Sequence, residues 1–264
     1  MGWTERQQAM LQTMGLRVWS PATGGVVDAA PPPVTTSEAP LQPAGAPSPA
    51  PADQGQPPPA APVPAEIAGL AWPALQDAVA ACRACGLCDS RRQTVFGTGS
   101  PRAHWLVIGE APGEQEDRRG EPFVGPAGQL LDRMLAALGL TRDAEGAPPA
   151  QQVYITNTLK CRPPGNRNPS PEELATCEPF LQRQIALLQP RIILAMGRFA
   201  VQALLRSSDA IGRLRGRVHH FQGVPLIVTY HPAYLLRNLP DKARAWEDLC
   251  LAAATAEAAA GPPQ

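Results

Sequence analysis

Four short apolar runs, Trp105–Ile108, Val153–Thr156, Ile192–Ala195 and Leu226–Val228, punctuate the second half of the chain. Short runs of this kind, continuous rather than alternating, predict strands buried on both faces. Between them the period becomes helical. In Ala127–Leu138 the apolar residues Leu130, Leu131, Met134, Leu135 and Leu138 fall at the spacing of one helix face. Pro171–Leu188 opens with proline in its first turn and with Glu172 and Glu173 placed to favour the N-terminal dipole. Arg198–Leu205 and Asp241–Glu257 read as further helices, and so does Glu66–Cys82 in spite of Pro73. Apolar strands alternating with helices predict a three-layer α/β/α sandwich around a central, largely parallel four-stranded sheet.

In such a sheet the functional site lies beyond the carboxyl ends of the strands. Three polar motifs fall there. Gly109–Asp117 (GEAPGEQED) follows the first strand, Asn157 closes the second, and His231 follows the fourth. A glycine turn at a strand end lets a ligand approach backbone N–H groups closely. Phe123, in the loop before the next helix, offers a flat wall on which a base could stack. The Asn157 carboxamide offers one donor and one acceptor side by side, which matches the N3–H and O4 edge of uracil and mismatches cytosine. His231 begins His231-Pro232-Ala233-Tyr234-Leu235-Leu236-Arg237. There Leu235 and Leu236, beside Arg237, form an apolar wedge suited to filling the gap left by an extruded base. His219 and His220 have no comparable setting and read as surface residues.

Composition alters the picture at the N-terminus. Residues 4–18 could form an amphipathic helix, whereas proline, alanine and glycine dominate from residue 20 to about 65. Such a stretch buries too little apolar surface to offset its ordering entropy. The expected organisation is therefore a helical element at 1–19, a linker at 20–65, a folded domain at 66–258 and a tail at 259–264. Lys+Arg and Asp+Glu are equal at 23 each, so there is no global positive field, and a nucleic-acid partner would need a local basic patch. No run reaches the roughly 20 apolar residues of a membrane span, and the N-terminus has no basic region followed by an apolar run. A cytoplasmic location is expected, where cysteines are read as metal ligands rather than disulfides.

Cys82 and Cys85 form a C-x-x-C turn, and Cys161 and Cys177 follow far downstream. Four thiolates suit either tetrahedral zinc or an iron–sulfur cubane, and spacing does not separate the two. Cys88 could compete as a ligand, and Cys250 reads as core. The segment between Cys161 and Cys177 is stiff and basic, and pinned at both ends it could press Arg162 and Arg167 against phosphates.

With these residues assembled, the region from about Leu70 to Leu251 resembles the family 4 (thermophile-type, iron–sulfur) uracil-DNA glycosylases. The resemblance is carried by GEAPGEQED at 109–117, EPFVGPAGQLL at 121–131, YITNTLKCRPP at 154–164 and HPAYLLR at 231–237. It implies a uracil-DNA glycosylase-like fold and a structural [4Fe–4S] cluster on Cys82, Cys85, Cys161 and Cys177, with Cys88 outside. It also implies a uracil pocket made by the Glu110–Ala111 backbone, Phe123 and Asn157, with His231 donating to uracil O2. The implied partner is uracil-containing DNA, single- or double-stranded, acted on by a monomer. The expected product is an intact abasic site, since no lysine is placed to form a Schiff base. In the cluster-free glycosylases an aspartate activates water where this chain has Ala111, and a tyrosine excludes thymine where it has Gly113. Glu110 or Glu116 is then expected to orient the water, and Glu116 to help close the pocket against thymine. The alternative is a non-catalytic iron–sulfur protein that binds damaged DNA, or a repair partner through its proline-rich arm.

Overall fold

The structure, a computed structural model, describes residues 65–143 and 146–260. The helical element expected at 1–19, the linker at 20–65 apart from Ala65, and the last four residues lie outside the described part. The elements in chain order are α1 (Ala65–Ala68), α2 (Trp72–Ala81), α3 (Leu87–Ser90), β1 (Thr98–Gly99), β2 (Trp105–Gly109), α4 (Glu114–Arg119), α5 (Pro126–Ala137) and β3 (Val153–Asn157). They continue with α6 (Pro171–Leu188), β4 (Ile192–Met196), α7 (Arg198–Leu205), α8 (Ile211–Leu214), β5 (Val218–Phe221), β6 (Val224–Thr229), α9 (Pro232–Leu235) and α10 (Asp241–Ala260).

The four predicted strands form the parallel centre of the sheet, in the order β3-β2-β4-β6. Two short antiparallel edge strands, β1 and β5, bring the total to six rather than four. Neither carries an apolar run. β1 has two residues, and β5 presents exposed Val218 and His220 between half-buried His219 and buried Phe221. Edges of this kind are short and polar, which keeps them from pairing with other chains. His219 is therefore not a free surface residue, and its Nε2 lies 2.7 Å from the Leu214 carbonyl.

Side chains alternate across the sheet with period two. Leu106, Ile108, Ile193, Ala195, Leu226 and Val228 share one core with Leu181 and Ile185 of α6 and Val201 and Leu204 of α7. The intervening residues Val107, Leu194 and Ile227 are fully buried on the opposite face. There α10 packs on β6 and β4.

The helix expected over 66–82 is broken into α1 and α2, with Pro73 in the first turn of α2. Proline clashes with the preceding turn in a helix interior but fits the first turn, where its missing N–H costs nothing. At α6, Ser170 Oγ accepts from the Glu173 N–H at 3.2 Å, and a Glu173 carboxylate oxygen accepts from the Ser170 N–H at 2.8 Å. This reciprocal cap fixes where α6 begins. Helix α10 extends to Ala260, beyond the expected start of the tail.

The strand register brings the motifs level. Gly109 pairs with Asn157 at the ends of β2 and β3, and Met196 pairs with Thr229 at the ends of β4 and β6.

Candidate active site

Beyond those strand ends opens a cleft of about 810 Å³ whose lining includes Glu110, Ala111, Glu116, Phe123, Asn157 and His231. The fold thus gathers all the base-pocket residues expected from the sequence. Asn157 is 2 % exposed, and its Oδ1 is buried without a partner. A buried acceptor left unpaired costs about 1–3 kcal/mol, so its presence here points to a ligand donor. Gly109 makes room beside it. A Cβ on Gly109 would lie 2.5 Å from Asn157 Oδ1 and 2.6 Å from Phe123 Cζ.

Phe123 is held in the left-handed region, at φ 56°, a conformation that costs a bulky residue energy. Gly128 permits it, since a Cβ there would stand 1.8 Å from the Phe123 carbonyl oxygen. Glu116 fastens the same loop. One of its carboxylate oxygens accepts from Val124 and Gly125 N–H at 3.0 and 3.2 Å, and the other from Gly113 N–H at 3.1 Å. Three of the roughly four acceptor positions of a carboxylate are thereby used. Glu116 is a clamp on two pocket loops, with little capacity left for a water.

Glu110 is different. Burial raises its carboxyl above the usual range, against the opposing pull of Arg198. Its backbone carbonyl is fixed by the Leu159 N–H at 3.1 Å and by the Thr158 hydroxyl.

His231 caps α9, and its Nδ1 accepts from the Ala233 N–H at 3.2 Å. With Nδ1 used as acceptor, the proton of the neutral ring sits on Nε2. Burial lowers its pKa to about 4, with Arg237 adding to the effect and Glu116 opposing it. At neutral pH His231 is thus an uncharged donor. Its ring lies 5.4 Å from that of Phe123, centroid to centroid, at 27°.

Sequence reasoning missed other lining residues. Arg198 reaches the cleft from the start of α7, its guanidinium 4.4 Å over the Phe199 ring. Tyr230 and Tyr234 stack at 5.2 Å along the rim. The placement of Arg198 directly after the Met196-Gly197 strand end was the available signal for it.

The expected DNA wedge needs one correction. Leu235 is 0 % exposed and belongs to the core, whereas Leu236 is 43 % exposed. Leu239 is also exposed, at 55 %, and Arg237 lines the cleft. Arg167 is paired with Glu173, and Arg162 donates to Asn166 at 2.7 Å and lies 3.7 Å from Glu114. The Arg162–Glu114 contact is a loose pair worth under about 1 kcal/mol, whereas Arg167 holds Glu173, the cap partner of Ser170, with two guanidinium nitrogens.

The four cysteines line one small enclosure with Val79, Leu159 and Phe180. Cys82 ends α2 and Cys177 lies within α6, so the free segment after Cys161 stops at Ser170, well short of the expected span to Cys177. Cys88 also lines the enclosure but turns its Sγ toward Asp89 at 3.4 Å, and Cys250 is half-buried rather than core. Arg91 donates to Cys161 Sγ at 2.9 Å, and the Lys160 N–H to Cys177 Sγ at 3.3 Å. Burial pushes the Cys177 thiol up to about 12, so a thiolate there needs a strong positive partner. Among the described residues no three His, Cys, Asp or Glu groups converge on a single-ion site. Four cysteine sulfurs around one enclosure are nevertheless the number and type of donor that a four-iron cluster takes.

The sequence profile of the Uracil DNA glycosylase superfamily matches residues 96–250, and the chain belongs to that superfamily. Within it, the chain is 43% identical over 166 residues to the type-4 uracil-DNA glycosylase of Archaeoglobus fulgidus, covering 60% of this chain and 79% of that one. It is 40% identical over 172 residues to the type-4 enzyme of Thermotoga maritima, covering 64% and 85%. To the type-5 uracil-DNA glycosylase of Thermus thermophilus it is 35% identical over 153 residues, covering 52% and 68%.

Proposed function

We propose that this protein is a monofunctional uracil-DNA glycosylase, cleaving the N-glycosidic bond of deoxyuridine in DNA and leaving an abasic site. The observation that carries this reading is the buried, unpartnered Asn157 Oδ1 beside the Phe123 ring and His231. An extruded uracil would stack on Phe123 and present its N3–H and O4 edge to the Asn157 carboxamide.

As the bond to C1′ breaks, negative charge develops on the leaving base. The neutral His231, with Nε2–H aimed at O2, stabilises that charge without having to lose a proton itself. A preorganised donor of this kind is worth about 3–4 kcal/mol. Glu110, rather than the clamped Glu116, is the carboxylate with capacity to orient the attacking water and accept its proton. Glu116 acts by holding the loops that bound the pocket, and through them it excludes the thymine methyl. Leu236 fills the vacated stack, and Arg237, Arg162 and Arg167 meet the phosphates.

Cys82, Cys85, Cys161 and Cys177 would hold a [4Fe–4S] cluster, whose chemistry here is to cross-link the end of α2, the segment after β3 and α6. The catalytic groups lie in the separate cleft.

The test is cleavage of a uracil-containing oligonucleotide, with thymine and cytosine controls, by the full-length protein, His231→Ala and Asn157→Ala. Excision of uracil alone is expected, falling about 10²–10³-fold in each variant. An iron-replete wild-type protein that binds the oligonucleotide but leaves it intact would instead establish the non-catalytic alternative.

A further inference from the structure

Lys160 is a buried cation with no part in the chemistry above. It is 1 % exposed, and its Nζ donates to Thr156 Oγ1 at 2.6 Å and to the Asn157 backbone carbonyl at 2.8 Å. Its own N–H is the one directed at Cys177 Sγ, and Cys161 is the next residue. Burying an ammonium is costly unless its donors are matched, so each of these bonds constrains the chain. The segment from Asn157 to Cys161 thus carries the base reader at one end and a cysteine of the enclosure at the other. Lys160 bridges it from within.

A second connection runs alongside. Thr156 Oγ1 donates to the Phe96 carbonyl at 2.9 Å, and Gln184 of α6 donates to the same carbonyl at 3.0 Å. Helix α6 also carries Cys177. Meanwhile the Asn157 side chain has no bond through Oδ1 to set its angle. Its aim therefore depends on how its backbone is held, and Lys160 holds that backbone.

We propose that Lys160 is a positioning residue that couples the cysteine cluster to the base pocket, tied to Cys177 through its main chain and to Asn157 through its ammonium. On this view the cluster sets the selectivity of the pocket as well as the stability of the domain. The inference rests on the uracil and cluster readings above, and both are scored on the wild type before any variant. Absence of uracil excision would remove the first, and absence of iron the second.

The test uses full-length Lys160→Met, of similar length but without donors, and reads iron content, visible absorbance and inhibition by free uracil. Wild-type iron is expected, together with an inhibition constant for uracil raised about tenfold or more. KM for uracil-DNA should rise more than kcat falls, and discrimination against cytosine should weaken. Lys160→Arg, which keeps a cationic donor, should recover part of the loss. If Lys160→Met keeps its iron and binds uracil as tightly as the wild type, the coupling is overturned. Should Lys160→Met lose iron or fail to fold, Thr156→Val decides. It removes the other anchor of the ammonium, together with the Thr156 bond to the Phe96 carbonyl that Gln184 still holds, and leaves every cysteine contact in place. Full iron with weakened uracil binding would support the coupling, and wild-type uracil binding would overturn it.

Discussion

The Phe123 and His231 rings lie 5.4 Å apart at 27°, too close for a base to pass between them. Two stacking gaps of about 3.5 Å each would be needed for that. On the proposed reading, His231 then meets the base at its edge, through Nε2, while Phe123 covers a face. The two residues come from loops 108 positions apart in the chain, and their relative angle decides whether stacking and donation occur at once.

The acid limb of activity should not follow an ordinary histidine. Burial holds His231 neutral down to about pH 4, so kcat/KM should pass through pH 6.5 without a break. An acid limb above 4.5 is expected from Glu110, whose carboxyl burial has raised. It should disappear in Glu110→Gln, whose overall rate is lower. A break near pH 6.5 that survives in Glu110→Gln would refute this assignment.

The same depressed pKa has a consequence for stability. Below 6.5 the unfolded chain takes up the proton and the folded chain does not, so stability is fully present above 6.5 and is lost as pH falls toward about 4. The loss is about 3 kcal/mol in all. Chemical denaturation between pH 7 and pH 4 should show a shallower decline in His231→Ala than in the wild type.

Gly109→Ala tests the slot between Asn157 and Phe123. The new Cβ would stand 2.5 Å from one and 2.6 Å from the other. Activity on uracil should fall at least about tenfold, with a stability cost of about 1–3 kcal/mol. Steady-state kinetics and a thermal melt on the same preparation separate the two effects.

Glu116→Gln should lose the bond to the Gly113 N–H and keep those to Val124 and Gly125. The expected result is a lowered Tm, a cost of about 1–3 kcal/mol, and weaker rejection of thymine. A variant with full stability and unaltered base selectivity would show that the clamp is dispensable.

The adjacent leucines should part company. Leu235→Ala opens a cavity in the core and should cost about 2–5 kcal/mol. Leu236→Ala should leave stability within about 0.5 kcal/mol and raise KM for duplex substrate more than for single-stranded substrate. Denaturation curves and paired kinetics on both substrates check this directly.

The sequence by itself determined the four central strands, the helices between them and the motifs at the strand ends. These follow from local periodicity, from proline and glycine at fixed offsets, and from residue types whose chemistry does not depend on context. The carboxamide of Asn157 and the thiols of four cysteines are legible in one dimension for that reason. Tertiary structure alone decided how the members of each similar pair differ in setting. Leu235 and Leu236 are neighbours of one type, and only the angle at which α9 leaves β6 turns the first inward and the second outward. Glu110 and Glu116 differ because three backbone N–H groups converge on the second, brought there by the path of a loop that returns to residues 124 and 125. The edge strands β1 and β5 carry no apolar run, since an edge owes its pairing to its neighbour rather than to its own pattern. No periodicity in the sequence marks Lys160 as buried. Its enclosure between Thr156, Asn157 and the cysteines depends on contacts with α6, which periodicity within a single segment does not encode.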